Sequence, residues 1–161
     1  MKISFPKLLK LISVIFCIGI SVQVSAQTIS DETIDSIMNS DDTVVLKKFI
    51  TSNNVNNCQG NYSILSHAIR YGAKNCFDFL VKMGADVNLI CNNYVPPIMH
   101  AVKYGRLDFL KVLIAKGANL NYKYSGDNPV IQDMTPLTYA EKYNQAEIVN
   151  YLRSIKKPNE P

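Results

Sequence analysis

The chain has 161 residues, which is enough for a single domain of modest size. Seventeen lysines and arginines outnumber thirteen acidic residues, but three of the lysines fall within positions 1–26. The remaining fourteen basic residues leave a net charge of only +1 on the rest of the chain. This near-neutral balance excludes the strongly basic composition that is typical of nucleic-acid-binding domains, so we expect no nucleic acid among the partners.

The segment at 1–26 has the layout of a secretory signal peptide. Three lysines precede the unbroken apolar run "LISVIFCIGI", and "SVQVSA" then ends in the small residues that a signal peptidase needs. The fourteen uncharged residues at 11–24 fall short of the ~20 apolar residues that a transmembrane helix needs. We therefore predict cleavage after Ala26, with export to the periplasm of a Gram-negative bacterium or secretion from another cell. The mature protein would then have no stable membrane anchor.

The remaining sequence repeats itself at a fixed period. Residues 62–88 and 95–121 align along their whole length, residues 134–155 form a third copy, and residues 36–56 form a degenerate copy upstream. A period of this size indicates stacked helical units, each of which needs its neighbours to bury its apolar face. The third full copy begins later than the period of the first two requires, which predicts an extended loop at 122–133.

Each full copy predicts two helices. The first helices begin near Ser63, Pro97 and Pro136 and end before Gly72, Gly105 and Asn144. Glycine and asparagine most easily adopt the left-handed conformation that ends a helix. The second helices carry apolar residues at helical spacing, and these are Cys76, Phe77, Leu80, Phe109, Leu110, Leu113, Ile148, Val149 and Leu152. Small residues at one matching position, Ala68, Ala101 and Ala140, allow neighbouring first helices to approach closely.

The period, the segment "TPLTYA" at 135–140 and the segment "GADVN" at 84–88 resemble the ankyrin repeat. The resemblance covers about residues 30–155 and implies an all-α ankyrin-repeat solenoid of about four helix-turn-helix units with finger loops. The hydrogen-bonding histidine of the family's Thr-Pro-Leu-His motif is missing from every copy. The predicted domain spans residues 27–157, with an N-terminal cap repeat at 30–56, inner repeats at 57–88 and 89–121, a C-terminal repeat at 122–157, and a tail at 158–161.

Pairs of a basic residue and a tyrosine recur at the end of the first helices. They are Arg70–Tyr71, Lys103–Tyr104 and Lys142–Tyr143. In ankyrin-like stacks this end of the helix faces the concave surface where partners dock, so the resemblance implies that the pairs bind a partner. Tyrosine is a favoured anchor because it offers a large contact area and loses little rotamer entropy. The other interpretation, that these rings pack against neighbouring repeats, stays open.

The loop tips are a second candidate surface for partner binding. Tyr62, Tyr94 and Val95 are expected to project from fingers between repeats, and Tyr122 and Tyr124 begin the extended loop. Exposed aromatic residues in loops serve recognition more often than packing. The alternative is that the extended loop folds over the end of the stack as a cover.

The histidines and cysteines are candidates for metal, disulfide or core positions. His67 and His100 occupy one position in successive copies, and matching points should be about 10 Å apart, so we expect inter-repeat residues and no metal site. Cys58 and Cys91 are also one repeat apart, and we expect their separation to exceed the ~7 Å limit between the Cα atoms of a disulfide. A disulfide would then require distorted fingers, and the bonded and free states both stay open. Cys76 is expected in the core.

No sequence motif supports catalysis. There is no glycine-rich phosphate loop, no HExxH and no nucleophile with a base at recognisable spacing. The acids of the first helix, Asp31, Glu32 and Asp35, are interpreted as favourable charges near its N-terminus.

We therefore predict an exported, monomeric, non-catalytic module without cofactor or metal, which binds another protein through its concave face and fingers. One alternative is an immunity or inhibitor protein that neutralises a periplasm-acting toxin or enzyme. Another is a stress-protective protein that acts through exposed cysteines, Cys58 and Cys91.

Overall fold

The computed structural model describes residues 29–156, which form eight α-helices and one short β-hairpin. The helices are α1 (Asp31–Ser40), α2 (Thr43–Phe49), α3 (Ile64–Tyr71), α4 (Lys74–Lys82), α5 (Pro97–Lys103), α6 (Leu107–Ala115), α7 (Pro136–Lys142) and α8 (Ala146–Lys156). Strands β1 (Cys58–Gln59) and β2 (Tyr62–Ser63) pair antiparallel, and a 3-10 turn covers Pro129–Ile131. The predicted signal peptide at 1–26 and tail at 158–161 lie outside the described residues. None of the helices between residues 29 and 156 has the length and apolar character needed to cross a membrane.

The helices pair into four units that stack on one another in chain order. Within the units, α1 packs against α2, α3 against α4, α5 against α6, and α7 against α8. Between the units, the first helices form one row in which α3 contacts both α1 and α5, and α5 contacts α7. The predicted all-helical repeat solenoid is therefore confirmed.

The first helices of the full copies begin and end where the sequence predicts. The hydroxyl groups of Ser63 and Thr135 cap α3 and α7 by accepting hydrogen bonds from backbone amides three residues further on. Pro97 occupies the first turn of α5. The left-handed residues that follow the helices have φ values of 73° (Gly72), 65° (Gly105) and 55° (Asn144).

The hydrophobic core runs through all four units. Of the predicted second-helix residues, all are buried except Val149, which is partly buried. Phe77 of α4 and Phe109 of α6 meet edge to face, with ring centroids 4.5 Å apart. Ala68 and Ala101 are fully buried in the row of first helices. Their small side chains allow these helices to pack closely, as expected.

The extended loop at 122–133 has a small core of its own. Tyr124 is buried, its backbone N–H donates to the carbonyl of Met134 and its own carbonyl accepts from the N–H of Asp133. Its phenol oxygen accepts a hydrogen bond from the backbone N–H of Asn128. The prediction that Tyr124 is exposed for recognition was therefore wrong, because the loop closes around this ring.

The first unit ends its first helix with an aspartate instead of a glycine. Asp41 is left-handed, with φ of 52°, and its carboxylate accepts hydrogen bonds from the backbone amides of Asn75 and Cys76 at the start of α4. Burial raises the pKa of Asp41, but these hydrogen bonds outweigh burial and hold it below the ordinary value. Asp41 thus ends α1 and caps a helix of the next unit.

Candidate protein-binding surface

Three tyrosines lie at matching positions on the first helices of successive units. Tyr71 is the last residue of α3, and Tyr104 and Tyr143 directly follow α5 and α7. Tyr71 and Tyr104 are 37% and 39% exposed. Tyr143 is partly buried, because its ring packs edge to face against Tyr139 with centroids 4.7 Å apart. These tyrosines and the basic residues before them are termed the tyrosine ladder: Arg70, Tyr71, Lys103, Tyr104, Lys142 and Tyr143.

The basic residues of the tyrosine ladder have different surroundings. Lys142 is exposed, whereas Lys103 is partly buried and its Nζ atom lies 5.7 Å from the centre of the Tyr104 ring. Arg70 is also partly buried, and its guanidinium carbon lies only 3.9 Å from the centre of the Tyr62 ring. The three basic residues are therefore not equivalent, and Arg70 makes the closest contact with an aromatic ring.

The finger tyrosines and the tyrosine ladder meet in one aromatic cluster, formed by Tyr62, Tyr94, His100 and Tyr104. The Tyr62 and Tyr94 rings meet edge to face at 5.3 Å, and both approach His100, at 5.3 and 5.8 Å. The His100 ring stacks on Tyr104 at 6.4 Å. Burial raises the pKa of Tyr94 to about 12, and the nearby Tyr62 adds to the rise. The two surfaces predicted from the sequence are thus continuous in the second and third units.

The two histidines are buried beneath this surface and are uncharged at neutral pH. Burial lowers the pKa of His100 to about 3, helped by the positive charges of Arg70 and Lys103. Burial and Arg70 also lower the pKa of His67, although Asp35, whose Oδ1 atom is 3.3 Å from His67 Nδ1, acts in the opposite direction. His100 contacts Tyr62 of the preceding unit and Tyr104 of its own. It is therefore the inter-repeat residue that the sequence predicts.

The part of the chain that the structure describes has no candidate metal site. Residues 29–156 contain no group of three or more histidine, cysteine or acidic side chains placed to hold a metal ion. What the surface offers is the guanidinium of Arg70, the amino groups of Lys103 and Lys142 and the tyrosine rings. These groups suit stacking and hydrogen bonding to a partner.

Cys58 and Cys91 form a disulfide that joins the fingers of the second and third units. Their Cα atoms are 5.7 Å apart, so the expectation of a separation beyond the disulfide limit was wrong. That expectation used the spacing of packed helices, whereas the finger backbones approach more closely than the helices do. A hydrogen bond of 3.0 Å from Asn92 Nδ2 to the carbonyl of Gly60 also links the two fingers. Cys76 is a free thiol buried in the core, as predicted.

The remaining finger residues differ in their exposure. Val95 is buried in the core just before α5, so the prediction that it projects for binding was wrong: it packs inward at the base of the finger. Tyr94 and Tyr122 are partly buried, and the Tyr122 hydroxyl donates to the carbonyl of Tyr94 at 3.4 Å. They line an open cavity of about 310 Å³ between the finger of the third unit and the extended loop, together with Ile90, Asn93, Ser125 and Gly126.

The first unit contributes an acid to the surface where later units contribute bases. Asp35 on α1 has a side chain that is 46% exposed, and it adds to the rise that burial causes in the pKa of Tyr71. Sequence reasoning assigned Asp35 only to the N-terminus of the helix. No local signal marks its second role, because its contacts with His67 and Tyr71 join two separate units.

Comparison with known proteins agrees with this architecture. The family model described as "Ankyrin repeats (3 copies)" matches residues 34–124 and again residues 91–160. The two matches together cover most of the chain. A search of curated proteins returned no significant match.

Proposed function

Since the chain belongs to the ankyrin repeat family, whose members are generally protein–protein interaction modules, we propose that it is a non-catalytic module that binds one protein partner through the tyrosine ladder and the adjoining fingers. One observation carries this proposal. Tyr71 and Tyr104 present their rings to solvent at matching positions of consecutive units, beside Arg70 and Lys103.

Two of the three tyrosine rings of the ladder are packed against buried aromatic side chains before any partner arrives. Tyr104 stacks on the buried His100, and Tyr143 packs against the buried Tyr139. An aromatic side chain with a fixed orientation loses little conformational entropy on binding, so more of its contact energy contributes to affinity. Tyrosine and arginine, which Tyr71, Tyr104 and Arg70 supply here, are also enriched at the centre of protein interfaces.

The protein acts outside the cytosol in this proposal. The segment at 1–26, which lies outside the described residues, has the composition of a signal peptide. The disulfide between Cys58 and Cys91 supports the same assignment, because disulfides persist in oxidising compartments such as the periplasm and the extracellular space. Cell fractionation with N-terminal sequencing tests this: export predicts a mature chain beginning near Gln27, and an uncleaved cytosolic chain would refute it.

A binding experiment with matched variants tests the docking surface. The full chain with a C-terminal tag is purified from the exported fraction, cross-linked to its partner, and compared with the variants Tyr71→Ala/Tyr104→Ala and Tyr151→Ala. Tyr151 is a partly buried tyrosine of α8 outside the tyrosine ladder, so its variant controls for the loss of an aromatic ring. Circular dichroism first establishes that each variant is folded.

Binding of the purified partner is then measured by calorimetry. We expect the double variant to lose about 100-fold in affinity, which corresponds to ~2.7 kcal/mol, and the Tyr151 variant to bind like the wild type. A folded double variant with unchanged affinity would overturn the proposal, and equal loss in both variants would also contradict it.

The identity of the partner decides whether the module is an inhibitor or immunity protein. If the captured protein is a toxin or hydrolase, adding the module must reduce its activity. The alternative of stress protection through exposed cysteines finds no support in this geometry, because Cys58 and Cys91 are bonded to each other. The remaining thiol, Cys76, is buried, and burial raises its pKa to about 12, which makes it unreactive.

A further inference from the structure

We infer that Arg70 and Tyr62 form the binding site for a carboxylate of the protein partner, carried by an aspartate or glutamate in a segment that lies along the tyrosine ladder. This inference rests on the proposed function and adds the chemical identity of the group that is recognised. It is argued from the surroundings of Arg70, which differ from those of the other basic residues on this surface.

The guanidinium of Arg70 is held against an aromatic ring. Its carbon lies 3.9 Å from the centre of the Tyr62 ring, in a cation–π contact that restrains the group before binding. Burial lowers the pKa of Arg70, but the neighbouring Tyr104 and Tyr62 outweigh burial and raise it, so the group is charged. A restrained planar guanidinium loses little entropy when it forms the paired hydrogen bonds that a carboxylate accepts.

Arg70 has no counter-ion in residues 29–156. The acids of the neighbouring helices are engaged elsewhere: Asp35 of α1 contacts His67, with its Oδ1 atom 3.3 Å from His67 Nδ1, and Asp78 of α4 pairs with Lys74. The Nε atom of Arg70 is buried and has no hydrogen-bond partner in this part of the chain. The contacts with Tyr104 and Tyr62 favour the charged form, but no acidic side chain is paired with it in the described residues. An incoming carboxylate would therefore be attracted by a charge that the folded protein leaves unbalanced.

The positive charge of this site also affects the pKa values of the neighbouring histidines. The charge of Arg70 contributes to the lowered pKa of both His67 and His100, after the larger effect of burial. Lys103 adds to the effect on His100. The positive charge of Arg70 therefore lies close to both buried imidazoles.

A carboxylate from a protein fits this surface better than a polyanion does. Nucleic acids require a continuous basic patch, whereas acidic Asp35 on α1 and Glu141 on α7 interrupt the basic residues here. Tyr71 and Tyr104 are neighbours of Arg70. They offer apolar contact that a protein segment can cover, so that water is excluded from the ion pair. Because Asp35 would repel a second acid, the partner's acid faces α3 and not α1.

The test follows the side chain of Arg70 by nuclear magnetic resonance in the oxidised, exported protein. The probes are a short peptide of alternating glutamate and leucine, the same peptide with glutamine in place of glutamate, and inorganic phosphate. The variants are Arg70→Met, Arg70→Lys and, as a matched control, Lys82→Met, which removes an exposed positive charge of α4 outside the tyrosine ladder. Thermal unfolding establishes that each variant is folded. If Arg70→Met does not fold, Arg70→Lys is the test variant.

We expect the glutamate peptide to shift the Arg70 Nε resonance and to bind about tenfold more tightly than the glutamine peptide. Arg70→Met should abolish this preference and Arg70→Lys should reduce it, whereas Lys82→Met should leave it within about threefold. Equal binding of the two peptides, a retained preference in folded Arg70→Met, or equally strong binding of phosphate would overturn the inference.

The outcome is distinguishable from failure of the proposed function. A partner that requires Tyr71 and Tyr104 but binds Arg70→Met normally leaves the proposed function standing and refutes the carboxylate site. A partner that binds the folded Tyr71→Ala/Tyr104→Ala variant normally refutes the proposed function itself.

Discussion

Gly72 and Arg106 are interlocked across neighbouring units. The guanidinium of Arg106 lies where a side chain at Gly72 would begin, with its Nη2 atom 2.7 Å from the position of a Cβ atom. The same arrangement recurs one unit further along, where the side-chain oxygen of Gln145 lies 2.8 Å from the Cβ position of Gly105. These glycines therefore end a helix and also make room for a side chain of the next unit.

This relationship predicts an energetic coupling between positions 72 and 106. Gly84→Ala, at a left-handed glycine with no neighbour within 4 Å, should lower the free energy of unfolding by ~1–2 kcal/mol through backbone strain alone. Gly72→Ala should cost about 0.5–1 kcal/mol more, because the guanidinium at the flexible end of Arg106 must also move. Urea unfolding of Gly72→Ala, Arg106→Ala and the double variant measures the coupling. If the two single effects add within about 0.5 kcal/mol, the positions are independent and the prediction is wrong.

Asp41 should stabilise the protein in a pH-dependent manner. Its pKa lies below the ordinary value in the folded protein, so its contribution is present above about pH 4 and is lost as the pH falls through the folded pKa. Asp41→Ala should lower the free energy of unfolding at neutral pH by ~1–2 kcal/mol, because α4 loses its cap. Asp41→Asn, which keeps a side-chain oxygen and tolerates φ of 52°, is the matched control and should cost less. Thermal unfolding from neutral to acid pH checks this: a wild-type advantage over Asp41→Asn that does not shrink in acid would contradict it.

Reduction of the finger disulfide should destabilise the protein. Cys58 and Cys91 have a sequence separation of 33, and a loop of this length corresponds to ~3–4 kcal/mol in the chain-entropy account. Urea unfolding with and without a reductant measures the difference. The Cys58→Ser/Cys91→Ser variant is the control. Its stability should equal that of the reduced wild type and should not change when the reductant is added. Unfolding curves of the wild type that coincide with and without reductant would contradict this prediction.

His100 should make the protein sensitive to mild acid. Its pKa is about 3 in the folded state against an ordinary value of 6.5, so the unfolded chain takes up the proton first and stability falls as the pH drops below about 6.5. At about pH 5 this effect is ~2 kcal/mol. His100→Leu should remove it and should cost little at neutral pH, because both ring nitrogens lack hydrogen-bond partners in the described chain. A variant with the same pH dependence as the wild type would show that His100 is not the responsible group.

Much of the fold could be predicted because its signals are periodic and local. Local sequence determines the left-handed conformations of Gly72 and Asn144 and the helix cap at Thr135. The residue types at these positions therefore indicate their roles. Asp41 was missed because the first unit replaces glycine with a residue whose second role, capping α4, depends on the stacking.

The features that sequence reasoning missed depend on how separate loops approach one another. The expected separation of Cys58 and Cys91 relied on helix spacing, which does not apply to finger backbones. The burial of Tyr124 depends on the extended loop closing on itself. The repeat pattern does not predict this closure. The ladder residues were recognised by type, but the stacking of Arg70 on Tyr62 joins a helix to a finger and becomes visible only in three dimensions.

The finger disulfide also bears on how the stack opens. Each unit of a solenoid touches only its neighbours, so fraying from either end is the least costly fluctuation. A covalent link between the second and third units makes them one cooperative block, whereas α1–α2 and α7–α8 remain free to fray one at a time. Amide hydrogens from α3 to α6 should then exchange more slowly than those at either end. Arg70 and the aromatic cluster belong to the linked block, so the binding surface would persist through fluctuations that open the ends.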